Sequence, residues 1–249
     1  GLDALGTPLV DNMYHAGWAW AGSTPYQGMK LMSAYLGGTR NPMAVKWPKG
    51  IQADPTPRSQ FHHVNDLVPT IYELLGITPP KEVNGVEQDP IHGTSFAYAF
   101  NAPDAPGQLQ TQFFDIMGSR SIYHDGWIAG AVGPRLPWVK GVDPGILTWS
   151  PNNDSWELYN LDEDWSQSMN LADQYPEKLQ ALKNLFLVES AKYKNLPIGG
   201  GLWTIIFHPE LKVAPECKSW TLPGTITRIP ETTAPRLGAV DNRVTLDLE

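Results

Sequence analysis

Apolar positions recur along the chain with two different periods, and each period predicts its own kind of element. Residues 61–77 carry apolar side chains at helical spacing, with Asp66 as a cap and Gly76 as a stop signal, so we predict a helix there. Residues 175–194 repeat the pattern with Pro176 in the first turn, and their apolar stripe consists of Leu179, Leu182, Phe186 and Tyr193.

Between these two segments lie short runs of strand-forming residues separated by turn signals. Asp125 and Gly126 stand between two such runs, which is a strong hairpin signal. The pattern predicts an antiparallel β-meander that the helix at 175–194 covers on one face. Its strands are expected at residues 112–117, 120–124, 127–132 and 156–160.

Residues 17–51 combine aromatic, glycine, proline and basic residues more densely than core packing needs. Residues 23–25, Ser-Thr-Pro, are expected to start a short helical turn from which Lys30 projects. Gly37 and Gly38 let the backbone bend or come close to a bound group. A strand is then predicted at residues 43–47.

This arrangement makes Lys30 a candidate anion ligand, because an ammonium group is a compact charge with three hydrogen-bond donors. The alternative is a solvated Lys30 with Arg40 paired to a neighbouring carboxylate, since Lys and Arg are mostly surface residues. Without further information the residue types favour that alternative.

Composition narrows the class of protein. The 249 residues form a globular composition with formal net charge −8 and no basic run, which does not indicate a nucleic-acid binder. No apolar run approaches the roughly 20 residues that a membrane helix needs, so we expect a soluble protein, cytoplasmic or periplasmic. The single cysteine, Cys217, rules out an intrachain disulfide framework.

Two further groups invite a catalytic interpretation and do not support it. His62, His63 and Asp66 could share a helix face and bind a metal, but a histidine bonded to a capping aspartate is the commoner arrangement. Ser95 follows Gly93 at the spacing of a nucleophile elbow but lacks the second glycine. We therefore expect a turn at Ser95.

Several motifs resemble type I sulfatases. They are Thr24-Pro25-Tyr26, Lys30, Gly37-Gly38-x-Arg40-x-Pro42 and Trp47-Pro48-x-Gly50-Ile51, and the preceding Gly17-Trp18-Ala19-Trp20-Ala21 is similar to bacterial arylsulfatases. Residues 61–77, 120–127 and 156–172 resemble later parts of the same family. The family's lysine contacts the substrate sulfate, which implies this role for Lys30. Gln27 and Leu36 depart from the family pattern, standing where many members have arginine and glutamate.

The resemblance implies an α/β, alkaline-phosphatase-like fold, of which this chain holds the carboxy-terminal portion. Residues 1–107 would form the end of the catalytic domain with its large mixed sheet. Residues 108–195 would form a small antiparallel β-sheet with a covering carboxy-terminal helix, and residues 196–249 a proline-rich connector. The amino-terminal part of the catalytic domain would be missing.

The function implied is that of an arylsulfatase-like sulfuric ester hydrolase acting on a small sulfate ester or a sulfated glycan. Complete members use calcium and a formylglycine made from a cysteine in a Cys-x-Pro-x-Arg type motif. Cys217 does not lie in that context, and Asp11-Asn12 does not match the family's calcium pair and is expected to form a turn. We therefore expect neither the nucleophile nor a metal ligand in this chain, which would be inactive alone.

Two other functions remain open. One is a phosphodiesterase or phosphonate monoester hydrolase of the same superfamily. The other is a non-catalytic carbohydrate-binding or interaction module built on the same scaffold, for which exposed tryptophans at 138, 149 and 165 would provide stacking surfaces.

Overall fold

The computed structural model describes residues 2–7, 9–10, 14–139, 148–198 and 220. The chain divides into two compact units, Gly1–Phe207 and His208–Glu249. The predicted strand-like pieces at 203–207 and 244–248, and Cys217, lie outside the described residues. Within the described part, no helix is both long enough and apolar enough to cross a membrane.

Along the described chain, three short helices come first, followed by six antiparallel strands and a longer helix. In chain order the helices are α1 (Ala16–Ser23), α2 (Leu36–Thr39), α3 (Leu67–Leu75) and α4 (Pro176–Lys192). The strands are β1 (Glu82–Val83), β2 (Val86–Glu87), β3 (Thr111–Ile116), β4 (Ser119–His124), β5 (Trp127–Ala131) and β6 (Glu157–Asn160).

The predicted meander is confirmed. Strands β3, β4, β5 and β6 form a four-stranded antiparallel sheet in sequential order. Asp125 and Gly126 turn the chain between β4 and β5 with φ values of 44° and 79°. Positive φ at both central residues matches the right-handed twist of the strands, which is why Asp-Gly is a strong hairpin signal.

Helix α4 covers one face of this sheet, as the sequence predicts. Pro176 occupies its first turn, where the missing N–H costs nothing. Leu182 and Phe186 pack on Ile122, Ala129 and Leu158 of the central strands. The rings of Phe113 and Trp156 meet Phe186 edge-on, with centroids 6.1 and 5.6 Å away.

Helix α3 confirms the helix expected within residues 61–77, but part of its apolar stripe is exposed: Leu67 and Leu74 are half-buried, whereas Ile71 and Leu75 are not buried. A 3-10 turn at Val64–Asp66 precedes it, and Gly76 ends it in the left-handed conformation at φ 63°. The buried side is polar: Asp66 accepts hydrogen bonds from the backbone N–H groups of His63 and Thr94, both at 2.8 Å. Ile71 and Leu75, expected in an apolar packing stripe, are 53% and 64% exposed.

Residues 23–25 end a helix rather than start one, which corrects the sequence prediction. The Ser23 hydroxyl donates to the Ala19 carbonyl at 3.0 Å, and the Thr24 hydroxyl donates to the Ala21 carbonyl at 2.7 Å. The amino end of α1 is instead capped by Nδ1 of His15, which accepts from the Gly17 N–H at 3.1 Å.

The strand expected at residues 43–47 is not formed. These residues lie outside the helices and strands, and the described part of the chain contains no strand of a large mixed sheet. A strand is defined by its ladder of hydrogen bonds, so a segment with a strand-like sequence does not form a strand unless another strand lies beside it.

We expect acidification to change the contributions of Asp66 and Asp115 to the free energy of unfolding in opposite directions. Burial raises the pKa of Asp66, but its contact with His62 and the N–H groups of His63 and Thr94 outweigh it, leaving a pKa below the ordinary value. Burial raises the pKa of Asp115, despite hydrogen bonds that oppose it. A carboxyl group whose pKa is lowered in the folded state stabilises the fold at pH values above its unfolded pKa of about 3.9, and this stabilisation is lost as the pH falls further. A carboxyl group whose pKa is raised in the folded state instead contributes a gain in stability as the pH falls.

The variants Asp66→Asn and Asp115→Asn test this difference. Between about pH 6 and pH 3 the free energy of unfolding, measured with urea, should fall less in Asp66→Asn than in the wild-type chain. In Asp115→Asn the free energy of unfolding should fall more, because the gain in stability from protonating Asp115 has been removed. An acid-induced loss in Asp66→Asn as large as in the wild type would contradict the assignment.

Candidate functional site

Lys30 lies on a tight turn whose flanking residues are buried. The Met32 N–H donates to the Met29 carbonyl at 3.0 Å and closes the turn, and Leu31 adopts a positive φ of 79°. Met29 and Met32 are buried, whereas Lys30 is exposed. The two ends of the turn are therefore buried, and the ammonium group of Lys30 is accessible to a ligand.

Buried serines tie the residues after this turn to the sheet. The Ser33 hydroxyl donates to the Ser119 carbonyl, and the Ser121 hydroxyl donates to the Ser33 carbonyl at 2.6 Å. The Ser119 hydroxyl accepts from the Ala34 N–H at 3.3 Å. All three serines are buried, so each bond is made away from water, where a missing partner is costly.

Gln167 continues this connection from the loop after β6. Its Oε1 accepts from the Leu36 N–H at 2.7 Å, and its Nε2 donates to the Ala34 carbonyl at 3.3 Å. The Gln167 carbonyl in turn accepts from the side-chain amide of Gln27. We call Ser33, Ser119, Ser121 and Gln167 the polar seam; it fixes the backbone on the carboxyl side of the Lys30 turn.

Close backbone packing also holds the segment after the Lys30 turn against the sheet. A Cβ at Gly130 of β5 would lie 2.8 Å from the Ala34 carbonyl oxygen, so a side chain there would push the segment off the sheet. Cβ atoms at Gly37 and Gly38 would lie 2.3 and 2.2 Å from the carbonyl oxygens of Gln27 and Met32. The two glycines thus permit close approach of the chain's own backbone.

An apolar and aromatic layer lies beside the polar seam. Leu36, which departs from the family's glutamate, is buried with Ile128 and Tyr159. The Tyr159 hydroxyl donates to Oε2 of Glu157 at 2.9 Å. Burial and the Glu157 carboxylate raise the pKa of both Tyr35 and Tyr159 above the ordinary tyrosine value, so both hydroxyls stay neutral at physiological pH.

Arg40 does not pair with a carboxylate. Its guanidinium carbon lies 5.0 Å from the centre of the Tyr26 ring, a cation–π geometry, and it has no acidic partner among the described residues. The expectation of an Arg40–carboxylate pair is therefore wrong. The contact with an aromatic ring leaves the Arg40 charge in place, so residues 17–51 carry four exposed positive charges, Lys30, Arg40, Lys46 and Lys49.

The described residues do not fit the calcium and nucleophile of the sulfatase resemblance. They contain no group of three or more His, Cys, Asp or Glu side chains that could hold a metal. Asp66 lies 3.6 Å from Nδ1 of His62, and both its oxygens already accept backbone N–H groups. The Ser95 hydroxyl accepts from the Ala97 N–H at 3.3 Å within a turn. Asp11 and Asn12 lie outside the described residues.

The three tryptophans proposed for sugar stacking differ in exposure. Trp138 and Trp165 are 47% and 48% exposed, and pack against Trp20 and Tyr26 with ring centroids 5.3 and 5.5 Å apart. Trp149 is partly buried, and its Nε1 donates to Asp154 at 2.8 Å, which corrects the expectation that it is exposed.

Sequence analysis named Lys30 as a candidate ligand but did not predict the polar seam that follows it. Ser119, Ser121 and Gln167 carry no motif, and Ser33 lies 86 positions before Ser119. The available signal was a pair of serines inside the β4 run, where apolar residues are usual. Polar residues at such positions indicate buried hydrogen bonds but do not name their partners.

Sequence comparison places the chain among known proteins. Residues 9–77, which include Lys30 and Arg40, match the family model described as Sulfatase. The chain is 28% identical over 196 residues to an uncharacterized sulfatase, PB10D8.02c, of Schizosaccharomyces pombe, covering 77% of this chain and 32% of that protein. The chain is therefore similar to sulfatases, over residues 9–77 by the family model and over 196 residues by the relative. It spans about a third of the length of the curated relative it matches.

Two solved structures are similar over part of their length. One, BT33336S-sulf, comes from work on the metabolism of multiple glycosaminoglycans by Bacteroides thetaiotaomicron, with a TM-score of 0.45, 23% identity, and coverage of 65% of this chain and 31% of that one. The other is BT4656 in complex with its substrate D-glucosamine-2-N,6-O-disulfate, with a TM-score of 0.43, 15% identity, and coverage of 63% and 29%.

The described residues are mixed α/β and show the expected small antiparallel sheet with its covering helix.

Proposed function

We propose that this chain provides the Lys30 side of the active site of a type I, bacterial arylsulfatase-like sulfuric ester hydrolase, as the carboxy-terminal portion of that enzyme. One observation carries the proposal. Lys30 lies within the matched family segment, exposed on a turn whose neighbouring backbone the polar seam holds on the sheet. A rigid support of this kind is what an electrostatic catalyst requires, because a preorganised charge needs no rearrangement during the reaction.

The role of Lys30 is to bind and stabilise sulfuryl oxygen. Its ammonium group offers three donors to an anionic oxygen, and negative charge developing there strengthens the contact. The formylglycine and calcium of complete family members would supply the nucleophile and metal charge. In our proposal both come from the amino-terminal part of the enzyme, which is the principal partner of this chain.

The substrate is a sulfate ester, either a small aryl ester or a sulfated glycan. The match to an uncharacterized sulfatase supports sulfate chemistry. Exposed Trp138 and Trp165 support a second candidate, a carbohydrate-binding or interaction module without catalysis. A titration with sulfated and unsulfated oligosaccharides, followed by tryptophan fluorescence, would support that module only if the 249-residue chain itself binds them.

Replacing Lys30 should abolish most of the activity of the native protein purified from its source. Loss of one preorganised oxyanion donor typically lowers kcat by about 100- to 1000-fold, and we expect a loss of that size in kcat/KM for an aryl sulfate in Lys30→Ala. Lys49→Ala is the matched control, because Lys49 is also exposed and lies in the same motif-rich segment. Equal activities in the two variants would remove Lys30 from the site.

The same assay distinguishes sulfate from phosphate chemistry. Parallel measurements with an aryl sulfate and a phosphodiester or phosphonate monoester give two values of kcat/KM. We expect the sulfate value to be the larger. A larger phosphodiester or phosphonate value would replace the sulfatase proposal with the superfamily alternative.

A further inference from the structure

Trp165 is exposed on a loop whose backbone is tied on both sides of it. The Asp164 N–H donates to the Asn160 carbonyl at 2.8 Å. The Asp164 carboxylate accepts from the Ser166 hydroxyl at 2.7 Å and from the Met169 N–H at 2.8 Å. The Trp165 side chain is 48% exposed. A ring that a fixed loop presents in this way loses little conformational freedom when it binds a ligand.

Tyr26 connects the Trp165 ring to the buried part of the chain. The centroids of the two rings are 5.5 Å apart and their planes are inclined at 69°, an edge-to-face contact. Tyr26 itself packs on the buried side chains of Leu36, Ile128 and Tyr159. Trp165 is therefore an exposed aromatic ring that a buried apolar layer supports through one neighbour.

Trp138 has the same exposure without the same support. It is 47% exposed, and its partner Trp20 is itself 38% exposed. Trp20 belongs to α1, which contains no buried residue. The two tryptophans are therefore matched in exposure and differ in what lies beneath them, so Trp138 provides the comparison for Trp165.

Hydrogen bonds join the Trp165 loop to the segment that carries Lys30. The Gln27 side-chain amide donates to the Gln167 carbonyl, and Oε1 of Gln167 accepts from the Leu36 N–H at 2.7 Å. Lys30 follows Gln27 by three residues, a distance of at most about 11 Å along the chain, and Trp165 precedes Gln167 by two, at most about 7 Å. The polar seam therefore holds the Trp165 loop and the Lys30 segment in a fixed relation.

We propose that Trp165 determines the specificity of the Lys30 site by binding the ring to which the substrate sulfate is attached. Lys30 contacts the sulfate, and the indole stacks on the flat face of the ring. The substrate class is thus a sulfate ester of an aryl or pyranose ring, and not a linear alkyl sulfate. This rests on the proposed function, which places the sulfate at Lys30. It differs from the non-catalytic module, in which Trp165 would act with Trp138 and without Lys30.

Steady-state kinetics of Trp165→Ala, made in the native protein, test this role with an aryl sulfate and a monosulfated pyranoside side by side. Loss of the stacking surface should raise KM by about tenfold for the ester that the site takes. The value of kcat should stay close to that of the wild type, because the ring face is the same in the substrate and in the transition state. The ester with the larger rise in KM identifies the ring. An unchanged KM for both esters would overturn the proposal.

Two further variants distinguish binding of a ring from packing on Tyr26. Trp165→Leu keeps an apolar side chain against Tyr26 but has no ring, whereas Trp165→Phe keeps a ring. Stacking predicts that Trp165→Leu behaves like Trp165→Ala and that Trp165→Phe stays close to the wild type. Equal KM values in Trp165→Leu and Trp165→Phe, or an equal rise in Trp165→Ala and Trp138→Ala, would contradict the assignment.

The outcomes separate this inference from the proposed function. Hydrolysis that needs Lys30 and is indifferent to Trp165 would keep the proposed function and reject the ring site. If the native protein hydrolyses neither ester, the proposed function fails, and calorimetric titration with the same two esters decides the inference. Binding that weakens by about tenfold in Trp165→Ala would then keep the ring site, and binding that is absent or unaffected would reject it.

Discussion

Truncating Phe186 to alanine is expected to destabilise the 249-residue chain by about 3–5 kcal/mol, the usual cost of removing a buried aromatic ring. Phe186 is 1% exposed and lies at the centre of the contact between α4 and the sheet. Its ring also meets Phe113 and Trp156 edge-on, so the substitution removes aromatic contacts as well as apolar burial.

Leu187→Ala provides the control for Phe186→Ala. Leu187 is the next residue of the same helix and is exposed, so its truncation alters helix propensity little and removes little packing. Urea unfolding of both variants, followed by tryptophan fluorescence, gives the comparison. A loss in Phe186→Ala no greater than that in Leu187→Ala would contradict the assignment of the core.

Gln167→Ala is expected to have the second largest effect, because it breaks the polar seam. The Leu36 N–H and the Ala34 carbonyl would both lose a buried partner, and each unsatisfied group costs about 1–3 kcal/mol. The segment that carries the Lys30 turn would also lose one of its attachments to the carboxy-terminal part of the chain. In the native protein we therefore expect reduced turnover as well as reduced stability.

The exposed Gln180 supplies the comparison for Gln167. Its side chain donates to Asn184 on the surface of α4, and Gln180→Ala removes that bond where water can replace it. Unfolding free energies of the two variants should differ by at least one buried hydrogen bond, about 1–3 kcal/mol. A Gln167→Ala chain as stable as Gln180→Ala would show that the polar seam does not hold the Lys30 segment.

The sheet and its helix were predictable because their signals are local. Period-two strands, the Asp125-Gly126 turn and the Pro176 start of α4 each specify an element from a few neighbouring residues. Helix α1 was missed for a related reason. Its Ala, Gly and Trp residues carry no apolar stripe, and it contains no buried residue, so periodicity gives no indication of it.

The polar seam was not predictable, since its bonds join residues far apart in the sequence. Gln167 reaches the Leu36 N–H across 131 positions, and no pattern near either residue indicates the other. The segment at 43–47 and the stripe of α3 are the opposite case. Their patterns are clear, but residues 43–47 form no strand and Ile71 and Leu75 of α3 are exposed.

The most direct test of the account is aryl sulfate turnover, compared between the native protein from its source and the purified 249-residue chain free of host enzyme. An intact mass and an upstream peptide map define the native protein. We predict a heavier native chain that carries the formylglycine motif and hydrolyses the ester through a site that needs Lys30. The 249-residue chain should give no turnover. Turnover by the 249-residue chain alone, or an inactive native protein, would contradict the claim that Lys30 completes a sulfatase site shared between two parts of one enzyme.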